Sequence, residues 1–245
     1  MHNRHIAFAL TFVLAVNLPA AAGEPRAVLE LFTSQGCSSC PPADKLIGEL
    51  AKDSSIVALT LPVDYWDYLG WKDTFALHGH TKRQRAYADV RGDREVYTPQ
   101  VVVNGMMHVL GSDKAAIEKA ITNTRSTAAP LTVPVTMTVT NGKLTVNVPA
   151  ANGQRSGEVW LCPYASKAQV TIERGENSGR TFTYYNVVRR WVKLGDWKGT
   201  AESFTVPVAE VTKGESDVDH AAVVVQSGAA AKPGVMLGVA TASLK

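Results

Sequence analysis

The stretch Ala27-Val28-Leu29-Glu30-Leu31-Phe32-Thr33-Ser34-Gln35-Gly36-Cys37-Ser38-Ser39-Cys40-Pro41-Pro42-Ala43-Asp44-Lys45-Leu46-Ile47-Gly48-Glu49-Leu50 carries the decisive pattern. An apolar run reads as a strand, Gly36–Pro42 as a tight turn, and Ala43–Lys52 as a helix with Leu46, Ile47 and Leu50 on one face. Two cysteines three positions apart on such a turn can sit within disulfide range. A helix N-terminus favours nearby negative charge, so the first thiol should ionise more readily there. The first cysteine of the turn lies outside the helix and is expected to be reachable. Cys37 is therefore the expected nucleophile, with Cys40 resolving the mixed disulfide. A purely structural bridge and half of a metal site are the other readings of the pair.

The compartment sharpens this reading. Arg4 precedes an apolar run, Ile6 to Leu18, and Ala20-Ala21-Ala22 has the small residues of a cleavage site, so residues 1–22 read as a cleaved signal peptide with Gly23 as the new N-terminus. The apolar run is short of the ~20 residues needed to span a bilayer. The mature chain is thus expected to be secreted or periplasmic and free of the membrane. The sequence holds three cysteines in all, too few for a disulfide-stapled scaffold. Charged residues make up 19% and hydrophobic ones 45%, as in a globular protein with a true core. A formal charge of +3, without a basic run interleaved with aromatics, sets nucleic acid aside as a partner.

Beyond the turn, strand and helix alternate. Ser55–Leu61 is apolar enough for a strand buried on both faces. Asp64–Trp71 is an aromatic segment, either a loop over the sheet or a wall of a cleft, and Lys72–Val90 is expected to be helical. Asn104-Gly105 between two apolar runs predicts a hairpin. Ser112 or Asp113 is the expected N-cap of a helix over Lys114–Thr122.

This order resembles the thioredoxin superfamily over about residues 26–125, on Cys37-Ser38-Ser39-Cys40 between strand and helix and on Thr98-Pro99 before the hairpin. The resemblance implies a cis bond at Pro99, and it implies that Thr98 and Pro99 lie beside the cysteines and help hold substrate backbone. A trans turn proline is the alternative. In some thioredoxins a buried acid relays protons to the second cysteine. Glu30 is the candidate relay here, although its register is offset and an exposed strand edge would explain it equally well. Two departures stand out: Gly36 occupies a place often held by an aromatic residue, and the second proline delays the expected start of regular helix to near Pro42. The wording from Leu29 to Asp44, together with Arg174-Gly175-Glu176-Asn177 and Gly179-Arg180 to Asn186-Val187-Val188-Arg189, is similar to a secreted family catalogued as domain of unknown function 1223. That name supplies no activity.

After a short linker at 126–130 the pattern changes to alternating strands. Leu131–Val139 and Leu144–Val148 flank Asn141-Gly142. Further strands are expected at Glu158–Cys162, Gln169–Glu173, Thr181–Leu194, Ser203–Val208, Ala221–Gln226 and Val235–Ala240. The expected architecture is an α/β thioredoxin-like domain, 24–126, followed by an all-β sandwich-like domain, 131–245. Cys162 should share a strand face with Trp160, either as a buried free thiol or as an exposed cysteine that forms a mixed disulfide or a dimer. The charged turn Arg174–Arg180 could present Glu176, Arg180 and Arg189 to a partner or to the dithiol, or be a solvated hairpin turn.

The function expected from these residues is thiol–disulfide exchange with a protein thiol or disulfide partner, with no bound organic cofactor. The competing reading is a non-enzymatic copper-binding or redox-inactive module. Thiolate, thioether and imidazole suit Cu(I), which makes His78, His80 and His108 the metal candidates.

Overall fold

The structure is a computed structural model that describes residues 25–151, 153 and 155–245. The expected signal peptide lies outside the described residues. None of the described helices is long and apolar enough to cross a membrane.

Strand β1 (Ala27–Thr33) and strand β2 (Ile56–Pro62) are buried at every position and pair in parallel, Ala27 opposite Ile56 through Thr33 opposite Pro62. Burial on both faces is what their unbroken apolar sequences require. Helix α1 (Pro41–Leu50) returns the chain between them, and α2 (His78–Arg91) leads on to the hairpin of β3 (Gln100–Val103) and β4 (Met107–Leu110). Asn104 and Gly105 turn that hairpin with φ of 53° and 73°, the left-handed values the Asn-Gly pair was read to supply. Helix α3 (Lys114–Ala128) follows, capped by the Asp113 carboxylate, which accepts from the Ala116 amide. Alternate β1 residues face opposite ways. Leu29 and Leu31 meet α1 and α3 in one core, whereas Val28 and Phe32 join β2 and Tyr87 of α2 in another.

Three boundaries differ from expectation. Helix α1 begins at Pro41, one residue early, because a proline at the first position lacks only an N–H that has no helical partner. Helix α2 begins at His78 rather than Lys72. The Asp73 carboxylate takes the amides of Gln35 and Phe75, which holds the preceding segment in turns. Helix α3 continues past Thr122 to Ala128, where Ala129 at φ 43° and Pro130 end it.

The second half holds strands β5 (Thr136–Thr140), β6 (Lys143–Val148), β7 (Gly157–Thr171), β8 (Thr181–Val188), β9 (Val192–Trp197), β10 (Glu202–Pro207), β11 (His220–Ala229) and β12 (Lys232–Ser243), with a single-turn helix α4 (Val208–Val211). They do not form a sandwich closed on itself. Strand β8 pairs in parallel with β2, so one nine-stranded mixed sheet runs β12-β11-β7-β8-β2-β1-β3-β4, with β9 also on β7. Only β10-β6-β5 form a separate sheet, and it stacks on the far end of the large one around Leu144, Val146, Leu161, Val223 and Trp197. Periodicity identifies a strand but not its neighbour, so the merged sheet was not readable from alternation. The molecule is a mixed α/β protein built on one large sheet.

The join also packs through α1. A methyl placed on Gly48 would lie 2.2 Å from the Tyr185 ring of β8. Gly48→Ala is therefore expected to destabilise the protein by about 1–3 kcal/mol in urea unfolding despite alanine's better helix propensity. The loss should disappear in a Tyr185→Ala background.

Candidate dithiol site

Cys37 and Cys40 are joined as a disulfide with their Cα atoms 5.4 Å apart, at the mouth of α1. The turn is held by its own backbone, Cys37 N–H to Ser34 O at 3.1 Å and Cys40 N–H to Cys37 O at 3.3 Å. Cys40 caps α1, its carbonyl accepting from Ala43 and Asp44.

Thr98-Pro99 lies beside this turn. The Thr98–Pro99 bond is cis, and a methyl built on Gly111 would lie 3.1 Å from Pro99 and 3.2 Å from Ala43 of the first α1 turn. Trp66 of the aromatic segment donates its indole N–H to Thr98 Oγ1 at 2.8 Å and packs over Gly36, which has room for no larger residue without movement. Trp71 donates to Gln35 Oε1 at 2.8 Å. The aromatic segment is thus a wall around the cysteines.

Cys37 is not reachable in the way the sequence suggested. It is 3% exposed and Cys40 is 0% exposed, while Ser38 and Ser39 between them face solvent. The enclosing element comes from the second half. The β7–β8 turn reaches the cysteines, and the buried Asn177 amide donates to Gln35 O at 2.9 Å and to Cys37 O at 3.1 Å. Gly175 of the same turn approaches Leu69 and Trp71. Of the charged residues expected to face the dithiol, Glu176 is exposed and Arg180 steadies Asn177 through its Oδ1. Arg189 instead pairs with Asp217 and stacks on Phe75. Sequence reading singled out the charges of this turn and passed over its amide. Asn177 stood in the sequence between two glycines and within the wording shared with the family, but neither signal pointed to its amide.

Glu30 is fully buried, not at an exposed edge. It faces α2, accepting from Arg83 Nε at 2.6 Å and Tyr87 Oη at 2.6 Å, and Gln226 of β11 completes the cluster. A different carboxyl stands by the dithiol. Asp44, one helical turn after Cys40, is buried, takes one hydrogen bond from Thr33 Oγ1 at 2.7 Å, and leaves Oδ2 with no partner among the described residues. Burial pushes its pKa up to about 8. Asp73, nearby, is pushed by burial to about 6. The i, i+4 spacing of Cys40 and Asp44 was visible in the sequence, but its burial was not.

Cys162 is a buried free thiol on β7, on the Trp160 side and opposite Leu161. Burial raises its pKa well above the ordinary value, which leaves it unreactive. The histidines are scattered. His78 contacts Asp64, His80 is buried against Pro62 O, and His108 sits among Tyr97, Asp93 and Glu95. Among the described residues no group of three or more His, Cys, Asp or Glu side chains is placed to hold a metal ion.

These features define a mixed α/β protein whose two-cysteine turn enters a helix at the C-terminal end of a buried strand. The chain belongs to the family described as "Protein of unknown function (DUF1223)", which matches residues 28–226. It is similar to the crystal structure of protein AGR_C_4864 from Agrobacterium tumefaciens, with a TM-score of 0.78 and 31% identity over 89% of this chain and 93% of that one. A shorter match, 40% identical over 37 residues, is to a "Probable Thioredoxin" of Archaeoglobus fulgidus, and it spans 15% of this chain and 41% of that relative.

Two measurements check this geometry. Losing both Asn177 amide bonds, each worth about 1 kcal/mol net, should make the disulfide up to about 30-fold faster to reduce with dithiothreitol in Asn177→Ala. Asp44 supplies a pH signature. Its folded carboxyl stays protonated to about pH 8, whereas the unfolded one ionises near 3.8. The folded state therefore holds the extra proton in that window, and stability falls as pH rises through it. Asp44→Asn should remove that loss, on the order of 5 kcal/mol between pH 4 and 8 by urea unfolding, leaving the smaller decline due to Asp73.

Proposed function

We propose that the chain is an exported thiol–disulfide oxidoreductase, with residues 24–126 acting as a thioredoxin-like domain and the β-rich half shaping access to its dithiol. The observation that carries this reading is the Cys37–Cys40 pair, set between β1 and α1 with Pro99 beside it. The short likeness to a protein titled a thioredoxin points the same way.

In the reduced pair, Cys37 thiolate attacks a partner disulfide. A Cys37–partner bond forms and the partner's other sulfur leaves as thiolate. Cys40, as thiolate, then attacks Cys37 Sγ, closing the internal disulfide and releasing the second partner thiol, so two electrons pass from the dithiol to the partner. The reverse sequence oxidises a partner dithiol. Asp44, one helical turn from Cys40 and with Oδ2 unpartnered among the described residues, is the proposed proton partner: protonated below about pH 8, it gives its proton to the Cys40 thiolate when the internal disulfide is reduced, and as the carboxylate it takes that proton back. The enclosed sulfurs make release of the Asn177 turn part of the cycle. Thr98 and Pro99 line the side from which a partner backbone would approach.

A Cys40→Ser variant in the exporting cell should accumulate a mixed disulfide through Cys37 that is absent when Cys37→Ser is added. If Cys37 resists alkylation after mild reduction, also in the Asn177→Ala variant, the catalytic reading fails and the pair is a structural bridge.

A further inference from the structure

A cavity not lined by the dithiol lies between α2, β7 and the turn from β8 to β9. It has a volume of about 460 Å³, within the usual range for small-molecule sites. Cys37 and Cys40 do not line it. Four of its lining residues are cations, Lys82, Arg83, Arg189 and Arg190, and no carboxylate lines it among the described residues. Trp160 and Trp191 form two walls, ring centroids 6.3 Å apart and planes at 70°.

The charges do not cancel. Arg83 is compensated by Glu30 behind it, and its guanidinium lies 4.0 Å from the Trp191 ring centroid. Arg189 is compensated by Asp217. Lys82 and Arg190 form no ion pair among the described residues, and Arg190 is held instead by the carbonyls of Glu210 and Val211. Those carbonyls orient the guanidinium without neutralising it. Excess positive charge beside two indoles selects an anion with a flat apolar body.

We propose that this cavity binds a small organic carboxylate, its flat apolar body against the corner formed by Trp160 and Trp191 and its carboxylate toward Arg190 and Lys82. The site goes beyond the redox reading and does not depend on it.

Calorimetric titration of the full chain with 2-naphthoate, in parallel with neutral 2-naphthalenemethanol, tests the proposal. The carboxylate should bind one to one, weaken with added salt, and bind about tenfold more tightly than the neutral compound. Lys82→Gln and Arg190→Gln should each weaken naphthoate about three- to tenfold and leave the neutral compound unchanged. Lys143→Gln, on an exposed strand elsewhere, should alter neither. Lys82 is exposed, so its variant decides the matter if Arg190→Gln fails to fold. Equal binding of the two compounds, absence of saturable binding, or naphthoate binding untouched by Lys82→Gln would overturn it.

Discussion

The structure depends on the seam between β2 and β8. Without it, β2 would be an apolar edge strand with a row of unpaired backbone groups, a template for aggregation. Strand β8 covers that edge with an irregular junction. One register pair, Thr60 opposite Val187, is reinforced by Thr60 Oγ1 donating to Tyr185 O at 2.6 Å and by the Asn186 amide donating to Ala58 O at 2.9 Å. Asn186 takes φ 50° to make this possible. Side chains thus supply bonds that a regular ladder would otherwise make. The same junction sets Tyr185 against Gly48 of α1, so sheet and helix are registered together.

The geometry of the cysteines follows from that seam. Strand β8 meets β2 only at Val187, opposite Thr60; before Asn186, whose φ is 50°, it crosses α1 with Tyr185 on Gly48, so the turn that leads into it reaches the Cys37 turn rather than the N-terminal end of β2. Asn177 can then reach the carbonyls of Gln35 and Cys37. Burial changes the chemistry available there. It withdraws the sulfurs from solvent and holds a neutral carboxyl, Asp44, one helical turn away. On the other face of β1, burial works differently. Glu30 and Arg83 meet each other there, with Tyr87 and Gln226 taking the remaining bonds. Two carboxyls close in sequence to one turn are thereby separated into different roles.

Much of the first half was legible because its signals are local. The apolar runs of β1 and β2, the Asn104-Gly105 turn and the Asp113 cap each act within a few residues. The same holds for the alternation that places Cys162 with Trp160. The start of α2 was misread because Asp73 spends its carboxylate on Gln35, a residue distant in the chain. For Glu30 the sequence left a proton relay and an exposed strand edge equally open, because the strand face it occupies is set by β1 packing, which composition does not reveal. Asn177 was overlooked because its partners are backbone carbonyls, which carry no sequence signature.

By itself, the sequence determined the local elements, the pairing distance of Cys37 and Cys40, and the strand-rich character of the second half. These follow from periodicity, turn chemistry and chain spacing. Only the tertiary structure decided that the two halves share one sheet, that Asn177 closes over the cysteines, and that Asp44 rather than Glu30 stands beside Cys40. It also decided that four cations converge on two tryptophans. Each of these depends on which strand lies next to which, and strand adjacency is chosen by the summed burial of distant residues, not by any short stretch of chain.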